Sequence, residues 1–450
     1  MDHCAEVLLP TTPGTPRPAP GQAGADDRPS PPAERLRLEL GAPPHQVAKA
    51  VREWIDTYVP LEWRAAAHRG GPDAIRKVRS RADYEAWYPV FGRSGLVAPT
   101  WPEEYGGLGL STTAARLVEA ELKPYNLGRL NPLGLNQAAC ALFAYGTHEQ
   151  RLRFLPPIVG NEEVWCQLFS EPGAGSDLAS LATTAERDGD EWLLEGQKVW
   201  NTWAHLADWA VVLARTDPDL PKRRGITYFL LHMHQSGVEV HPLRHIGGEV
   251  DFNRVVLRDA RVSDQHRVGE VGEGWRVANA TLTGERQMVS GTGSGGVDRI
   301  GGRGVDHLFH LGRKSQRSNE PLVRAELARL YSEERVREWT NTRGRTTAGA
   351  GGNPGDASSV GKLHQSSLNQ RIQLLATDML GMSGLARKSD ENEYGRSLPL
   401  EVRGMLRSRA NTIEGGTTEI NKNIIGERIL GLPRDPDPWT DVAWKDTPRS

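Results

Sequence analysis

From about Val164 onward the hydrophobic pattern stops recurring every three or four residues and gives way to short strand-like runs, and this change constrains the fold most. Strand-like runs follow one another: Leu168-Phe169, Trp192 to Leu194, Trp209 to Leu213, Ile226 to Leu231, Val238 to His241 and Val255 to Leu257. Turn residues separate them, and Asp188-Gly189 between two such runs predicts a hairpin. Helical spacing lies on both sides. Before the block, Val47, Val51, Trp54, Ile55 and Tyr58 form one apolar stripe, and Ala114, Leu117, Val118 and Leu122 another; a third helix spans Ala138 to Ala144. After it, helices are predicted over Trp275–Ser290, Glu320 to about Thr346, about Ala357 to Leu380, and Thr417 to Leu430, where Gly431-Leu432-Pro433 stops the last. In the second of these, Leu322, Leu327, Leu330 and Tyr331 are spaced for burial. The expected architecture is α+β: an N-terminal helical domain (44–163), a middle β-barrel-like domain (164–273) and a C-terminal four-helix-bundle-like domain (274–434).

The flanks differ from this core. Residues 8–33 are rich in Pro, Ala, Gly and Thr and cannot bury enough apolar surface to offset their ordering entropy, so residues 1–43 read as a disordered tail. Residues 435–450 read as a loosely held polar tail. A net charge of −2 over 450 residues gives no electrostatic case for nucleic acid. The three cysteines, Cys4, Cys140 and Cys166, are widely spaced, so neither a disulfide framework nor a zinc site is expected. A reducing cytoplasm fits that usage, and no secretory signal, membrane-spanning run or peroxisomal address is read.

Four stretches could carry chemistry. Cys166 to Asp177 ends a strand in Ser170-Glu171-Pro172, then Gly173-Ala174-Gly175-Ser176: a loop able to lie against a flat or anionic ligand, or a plain surface turn. Ala278, Leu282, Glu285 and Val289 share one helix face, which puts a carboxylate in an apolar stripe beside Arg286. Burial would raise its pKa and the arginine would lower it, a poise suited to acid–base work or to a structural ion pair. Gly415-Gly416 leads into a helix whose first turn holds Thr417, Thr418 and Glu419, either an oxyanion-binding N-terminus or a capping loop with Thr417 as N-cap. Trp200-Asn201-Thr202 could stack along and hydrogen-bond a planar cofactor, or belong to the core. Gly291-Thr-Gly293-Ser-Gly295-Gly296 satisfies the dinucleotide fingerprint but follows a helix rather than a strand, so it reads as a connection.

These segments together resemble the acyl-CoA dehydrogenase family of flavoproteins. The resemblance runs in order through Gly95 to Gly109, Gly146-Thr-His-Glu-Gln150, Leu168 to Asp177, Gly196-Gln-Lys-Val-Trp-Asn-Thr202, Ala207-Asp-Trp209, Val268 to Trp275, Ile413-Glu-Gly-Gly-Thr417 and Ile424 to Arg434. It implies noncovalent FAD and α,β-dehydrogenation of an acyl-CoA thioester to the 2-enoyl-CoA, in fatty-acid or lipid metabolism. Electron-transfer flavoprotein is the implied acceptor. It also implies FAD contacts from Gln167, Leu168, Phe169, Ser170, Trp200, Thr202, Thr417 and Glu419, with Ser176 along the pantetheine arm and Arg286 near the acyl-CoA.

The family places its base either immediately before the Gly-Thr matched by Gly416-Thr417 or immediately before the arginine matched by Arg286. Here the first position is Gly415, which has no side chain, and the second is Glu285. Glu285 is therefore the expected base, with Glu414 the fallback; Gly415 keeps its backbone N–H for the thioester oxygen and leaves room for a branched or bulky acyl group. The Arg-x-x-Phe-Gly segment that reaches FAD across a subunit contact in relatives is absent from Gly302 to Pro321, where Arg313 and Arg317 stand without it. The implied assembly is a homodimer, a homotetramer, or a heteromer with a second family subunit. Two other functions fit the same segments: a non-catalytic partner subunit, and a related flavin oxidase acting on a non-CoA substrate.

Overall fold

The computed structural model describes residues 34–39, 41–290, 302–349, 354–386 and 398–448. Its chain forms two compact units: the described residues of Pro10–Leu135 with Thr147–Val164, and those of Asn136–Gly146 with Trp165–Ser450.

The first unit is helical. Helix α1 (Pro44–Tyr58) buries Val47, Ala48, Val51, Trp54 and Ile55, nearly the stripe read from its spacing. The sequence pattern passed over α2 (Leu61–Val78), kinked at Gly70-Gly71, and α3 (Arg81–Arg93). A capping box closes the start of α3: Asp83 N–H donates to Ser80 Oγ while the Asp83 carboxylate accepts from Ser80 N–H. Trp54, Trp63, Tyr84, Trp87 and Phe91 from α1–α3 form an aromatic cluster, with ring centroids 5.4 Å apart for Trp63 and Trp87. α4 (Thr112–Leu122) packs on α1. Residues 1–33 lie outside the described residues. Residues 34–39 of the expected tail run extended, and Leu36 N–H donates to the Ser94 carbonyl at 3.0 Å.

The second unit opens with α5 (Ala139–Tyr145), entered through a π turn over Gly134–Ala138, whereas α6 (His148–Gly160), capped by a Thr147/Gln150 box, belongs to the first. Eight strands follow: β1 (Trp165–Leu168), β2 (Thr184–Asp188), β3 (Glu191–Thr202), β4 (Trp209–Arg215), β5 (Ile226–His232), β6 (Val238–Leu243), β7 (Phe252–Ser263) and β8 (Arg267–Val268). They form one sheet in the order β6-β7-β3-β2-β4-β5-β8, with β1 parallel to β4. The Asp188-Gly189 signal is the β2–β3 hairpin: Asp188 pairs with Glu191, and Gly189 at φ +63° is the first of its two turn residues. Its partner Asp190 is not left-handed, the pattern of a II′ turn.

Two irregularities in the β3–β7 ladder position the site. Gly196 sits at the first, at φ +152°, where a Cβ would lie 2.5 Å from Thr183 Oγ1. The second falls between Lys198 and Asn201 and throws Trp200 into the left-handed region at φ +62°. Helix α7 (Gly274–Ser290) lies against β5 and α5. A Cβ on Gly284 would come within 2.0 Å of the Asn136 carbonyl, so α7 touches the π turn before α5 backbone to backbone there and the rotation of α7 is fixed. The next residue is Glu285.

α8 (Val305–Lys314), α9 (Pro321–Gly349), α10 (Pro354–Leu380), α11 (Leu400–Ser408) and α12 (Thr418–Ile424) complete the unit, with α10 against all the others and α7. Their core joins Val305, Leu308, Leu311, Val323, Leu327, Leu330, Leu368, Ile372, Ala376 and Met379. The expected α9 stripe is corrected at two positions: Leu322 and Tyr331 are 86% and 42% exposed. The buried face runs Val323, Leu327, Leu330, and each of the misread residues stands one position, about 100°, off it. The last expected helix is shorter than read, because α12 gives way to a π turn at Ile425–Ile429. The C-terminal segment is not loose: Trp444 is buried, its ring under Arg215 at 4.3 Å and its Nε1 donating to the Ser180 carbonyl. Among the described residues no helix is long and apolar enough to cross a membrane. The Gly291–Gly296 run lies outside the described residues.

Candidate active site

The Cys166–Asp177 stretch owes its shape to a buried ion pair. Lys198 Nζ bonds Glu171 Oε1 at 2.7 Å and also donates to the Phe169 and Leu213 carbonyls. Glu171 in turn accepts from the Ala182 and Thr183 N–H groups. Burial works against the charge on Glu171, but Lys198 and these donors outweigh it and hold the carboxyl below its ordinary value. Lys198 stands in the sequence beside Gly196-Gln197, yet nothing local to it announces a partner 27 residues away.

Strand β1 is buried except at Gln167. Leu168 and the following Phe169 are fully buried, Phe169 in a T-shaped contact with Tyr228, so only their main chain is left to meet a ligand. Gln167 faces the other way. Its Nε2 donates to Glu285 Oε2 at 3.3 Å, and its carbonyl accepts from Asn201 Nδ2 at 2.8 Å. Asn201 lies between Trp200 and Thr202, so β1, the end of β3 and α7 meet at these three residues. Ser170, half-buried, pairs its carbonyl with Val199 N–H.

Glu285 and Glu414 differ in kind. Burial pushes the Glu285 carboxyl up; Gln167 and Arg286 pull it down, Glu414 adds to the rise, and the net direction is upward. Burial acts on Glu414 too, but Arg407 binds it through both nitrogens, at 3.1 and 2.8 Å, and Asn411 Nδ2 donates at 3.0 Å. Its pKa is driven below the ordinary carboxylate value. Glu414 is thus the acid half of a structural ion pair, and Glu285 the carboxylate with basicity to spare.

Arg286 lies beside Glu285, and burial lowers its pKa. Gly415 and Gly416 both adopt positive φ, +62° and +89°, which bends the loop into α12. Thr417 is the N-cap of that helix, its Oγ1 accepting from Ile420 N–H. Ser176 and Glu419 are exposed, and no hydrogen bond among the described residues joins either to the Glu285 group.

A planar, polar-edged ligand fits this surface. Trp200 exposes 54% of a large indole while holding a strained backbone, and it makes an edge contact with Phe252, which also lies under Arg407. In the same group are buried polar atoms without a partner among the described residues: Gln167 Oε1, Asn201 Oδ1 and Arg286 Nε. An acceptor pair and a donor orphaned on three neighbouring residues are what a bound flavin edge and acyl carbonyl would satisfy. Sequence reasoning missed Lys198 and Lys362, whose partners are distant in the chain, and Arg407, whose partner Glu414 lies seven residues on.

His245, Glu249 and Asp251 bring three ligand-type atoms within 4.8 Å of one another. The Gly247 N–H donates to His245 Nδ1, which places the imidazole proton on Nε2, the atom facing both carboxylates. A metal would need that nitrogen bare, and Glu249 is already bound by Arg403 at 2.8 Å, so the cluster is a salt-bridged corner.

Comparison with known proteins agrees along the chain. Profiles described as acyl-CoA dehydrogenase N-terminal, middle and C-terminal domains match residues 45–162, 166–260 and 272–430. The acyl-CoA dehydrogenase IpdE1 of Mycobacterium tuberculosis is 38% identical over 392 residues, 86% of this chain and 97% of that protein. Among solved structures, the Tcur3481-Tcur3483 steroid ACAD superposes with a TM-score of 0.66 at 26% identity, over 88% of this chain and all of the other. The ChsE4-ChsE5 complex of Mycobacterium tuberculosis gives 0.65 at 27%, over 89% and 100%. The chain belongs to the acyl-CoA dehydrogenase family and is an FAD-binding oxidoreductase.

Proposed function

We propose that the chain desaturates an acyl-CoA thioester between its α and β carbons, with Glu285 as the base. The observation that carries this is the contrast between the two carboxylates: Glu285 is raised in pKa and, among the described residues, bonded only through Gln167 Nε2, whereas Glu414 is neutralised by Arg407. Glu285 accepts the α-proton, and the Gln167 amide holds its carboxylate in line. The Gly415 N–H donates to the thioester oxygen as charge develops there, and Arg286 steadies the same region. Trp200, Ser170, Thr202, Thr417, Glu419 and the Gln167–Phe169 main chain line the cofactor side, with Ser176 along the pantetheine arm. Bound FAD supplies the acceptor for the β-hydride.

Two features favour a bulky, ring-bearing acyl group and a non-identical partner subunit. Gly415 presents no side chain to the acyl end, and one structural relative is called a steroid ACAD. The cross-subunit arginine motif is missing, and two relatives carry two-component names. Electron-transfer flavoprotein is the proposed acceptor.

The test is anaerobic titration of the purified yellow protein, with and without a co-expressed family subunit, against straight-chain, branched and steroid side-chain acyl-CoAs. Bleaching by ring-bearing thioesters is expected. Failure of every thioester to bleach the flavin in either preparation would overturn the dehydrogenase reading.

A further inference from the structure

Lys362 is 1% exposed near the start of the long helix α10. Its ammonium donates to the Asn411 carbonyl at 2.5 Å and to the Gly416 carbonyl at 2.9 Å, the two ends of the loop that carries Glu414 and Gly415. The same helix grips that loop again farther along. Ser366 Oγ donates to the Asn411 carbonyl at 2.7 Å and Asn369 Nδ2 to the Asn411 Oδ1 at 2.8 Å, while Asn421 Nδ2 shares the Gly416 carbonyl. Neutral amides and hydroxyls thus bond at both ends of the loop as well. A buried ammonium in their midst costs desolvation that a neutral group would not.

The charge has a use at this place. The charged groups that act on Lys362 are Glu414 from the loop and Glu285 from α7; Arg407 from α11 in turn acts on Glu414, and Arg286 on Glu285. Arg407 is the direct ion-pair partner of Glu414, and the charge of Lys362 acts through space on Glu414 and on Glu285, beside the Gly415 backbone that its loop contacts hold. We infer that Lys362 is a positioning residue for the reaction: its ammonium fixes both ends of the 411–416 loop and steadies negative charge, on Glu285 before proton transfer and on the thioester oxygen after it. Burial pushes Lys362 down to about 8 against the pull of Glu414 and Glu285, so this charge is lost within an accessible pH range.

The inference rests on the dehydrogenase reading, and the experiment separates the two. A 3-thiaacyl-CoA has an acidic α-hydrogen but no β-carbon hydride to give. Its α-hydrogen exchange in D2O, followed by NMR on the holoenzyme between pH 5.5 and 9.5, reports proton abstraction alone. Wild type is expected to show a rising limb from Glu285 and a falling limb near pH 8. Lys362→Met should remove the falling limb, move the rising limb up by about one unit and cut the rate at neutral pH about tenfold. Lys362→Arg keeps the charge, so its rising limb should stay in place and its falling limb should pass beyond pH 9.5. A Lys362→Met enzyme that is slower but keeps both wild-type limbs assigns the lysine to loop structure only and overturns the inference. If neither variant folds, wild type decides alone: a falling limb near pH 8 supports the inference and a plateau to pH 9.5 overturns it. No exchange by wild type at any pH overturns this inference and the dehydrogenase reading together, whereas bleaching by acyl-CoAs with an unchanged Lys362→Met profile overturns only this one.

Discussion

Replacing each of the two site carboxylates by glutamine should separate chemistry from stability in opposite directions. Glu414→Gln leaves the Arg407 guanidinium without its counter-ion, with about a fifth of each side chain exposed. Breaking a buried pair costs about 3–5 kcal/mol, and the partial exposure argues for the low end, about 3 kcal/mol. At roughly 2 °C per kcal/mol for a large unit, the melting temperature should fall by about 5 °C or more. Glu285→Gln does the reverse. Its carboxyl has a folded pKa above the unfolded value, so the folded state binds the extra proton, and stability declines as pH rises from the unfolded pKa through the folded one. Glutamine removes that penalty. The variant should melt at or above wild type at pH 7, with the gap closing toward pH 4. Glu414 has the opposite sign: its folded pKa is lowered, its contribution is present above the unfolded pKa and is lost as pH falls through the folded one.

Turnover should split the other way. Loss of a positioned base costs about 10²–10⁴-fold, so Glu285→Gln should be yellow, stable and nearly inactive. Glu414→Gln should keep substantial activity per folded molecule. Differential scanning fluorimetry at pH 4 to 8, with initial rates on the same samples, measures both. A Glu414→Gln enzyme that melts like wild type and is dead, beside an active Glu285→Gln enzyme, would refute the assignment and the electrostatic reasoning behind it.

Two further outcomes follow from named contacts. Trp444→Ala removes a buried ring stacked under Arg215 and should destabilise by about 3 kcal/mol; limited trypsinolysis at the adjacent Lys222-Arg223-Arg224 should quicken, and unchanged cleavage would show that the C-terminal segment does not brace that loop. Trp200→Ala should melt within about 1 °C of wild type, because the ring is mostly exposed, yet bind FAD about tenfold more weakly by flavin fluorescence, the value of roughly 1.4 kcal/mol of aromatic contact. Equal FAD affinity would remove Trp200 from the cofactor wall.

Much of this was legible in the sequence, and the failures have a common cause. Period and turn chemistry depend on neighbours in the chain, so the helix–β–helix order, the Asp188-Gly189 hairpin and the α1 stripe could be read directly. Glu285 could be picked out because it interrupts an apolar face. Leu322 and Tyr331 were misassigned because a heptad-like spacing admits two adjacent faces, and only the packing of α8 and α10 chooses between them. The anchoring of Trp444 was invisible: a polar, Pro-containing segment carries no sign that Arg215, more than two hundred residues earlier, offers its guanidinium plane. Lys198 and Lys362 failed for the same reason, because each pairs with a group set by tertiary contact. Arg407 has its partner only seven residues on, across the bend between α11 and the loop, but a lone basic residue in a helix or strand reads as solvated surface.

Three cations, Lys198, Arg407 and Arg403, also bear on the proposal that Glu285 is the base. Glu171 is held by Lys198, Glu414 by Arg407, and Glu249 by Arg403. In each case a cation lies within 2.8 Å of a carboxylate oxygen and turns the acid into part of the scaffold. Glu285 receives an amide from Gln167 and only a through-space field from Lys362 and Arg286. An amide orients a carboxylate without neutralising it, so direction is gained and basicity kept. The glycine-rich loop first noticed after β1 contributes no acid or base of its own; its Glu171–Lys198 pair holds β1 in place, and β1 presents Gln167. Disabling that pair should therefore misplace Gln167 and lower the rate of proton abstraction while every group that touches substrate is still present.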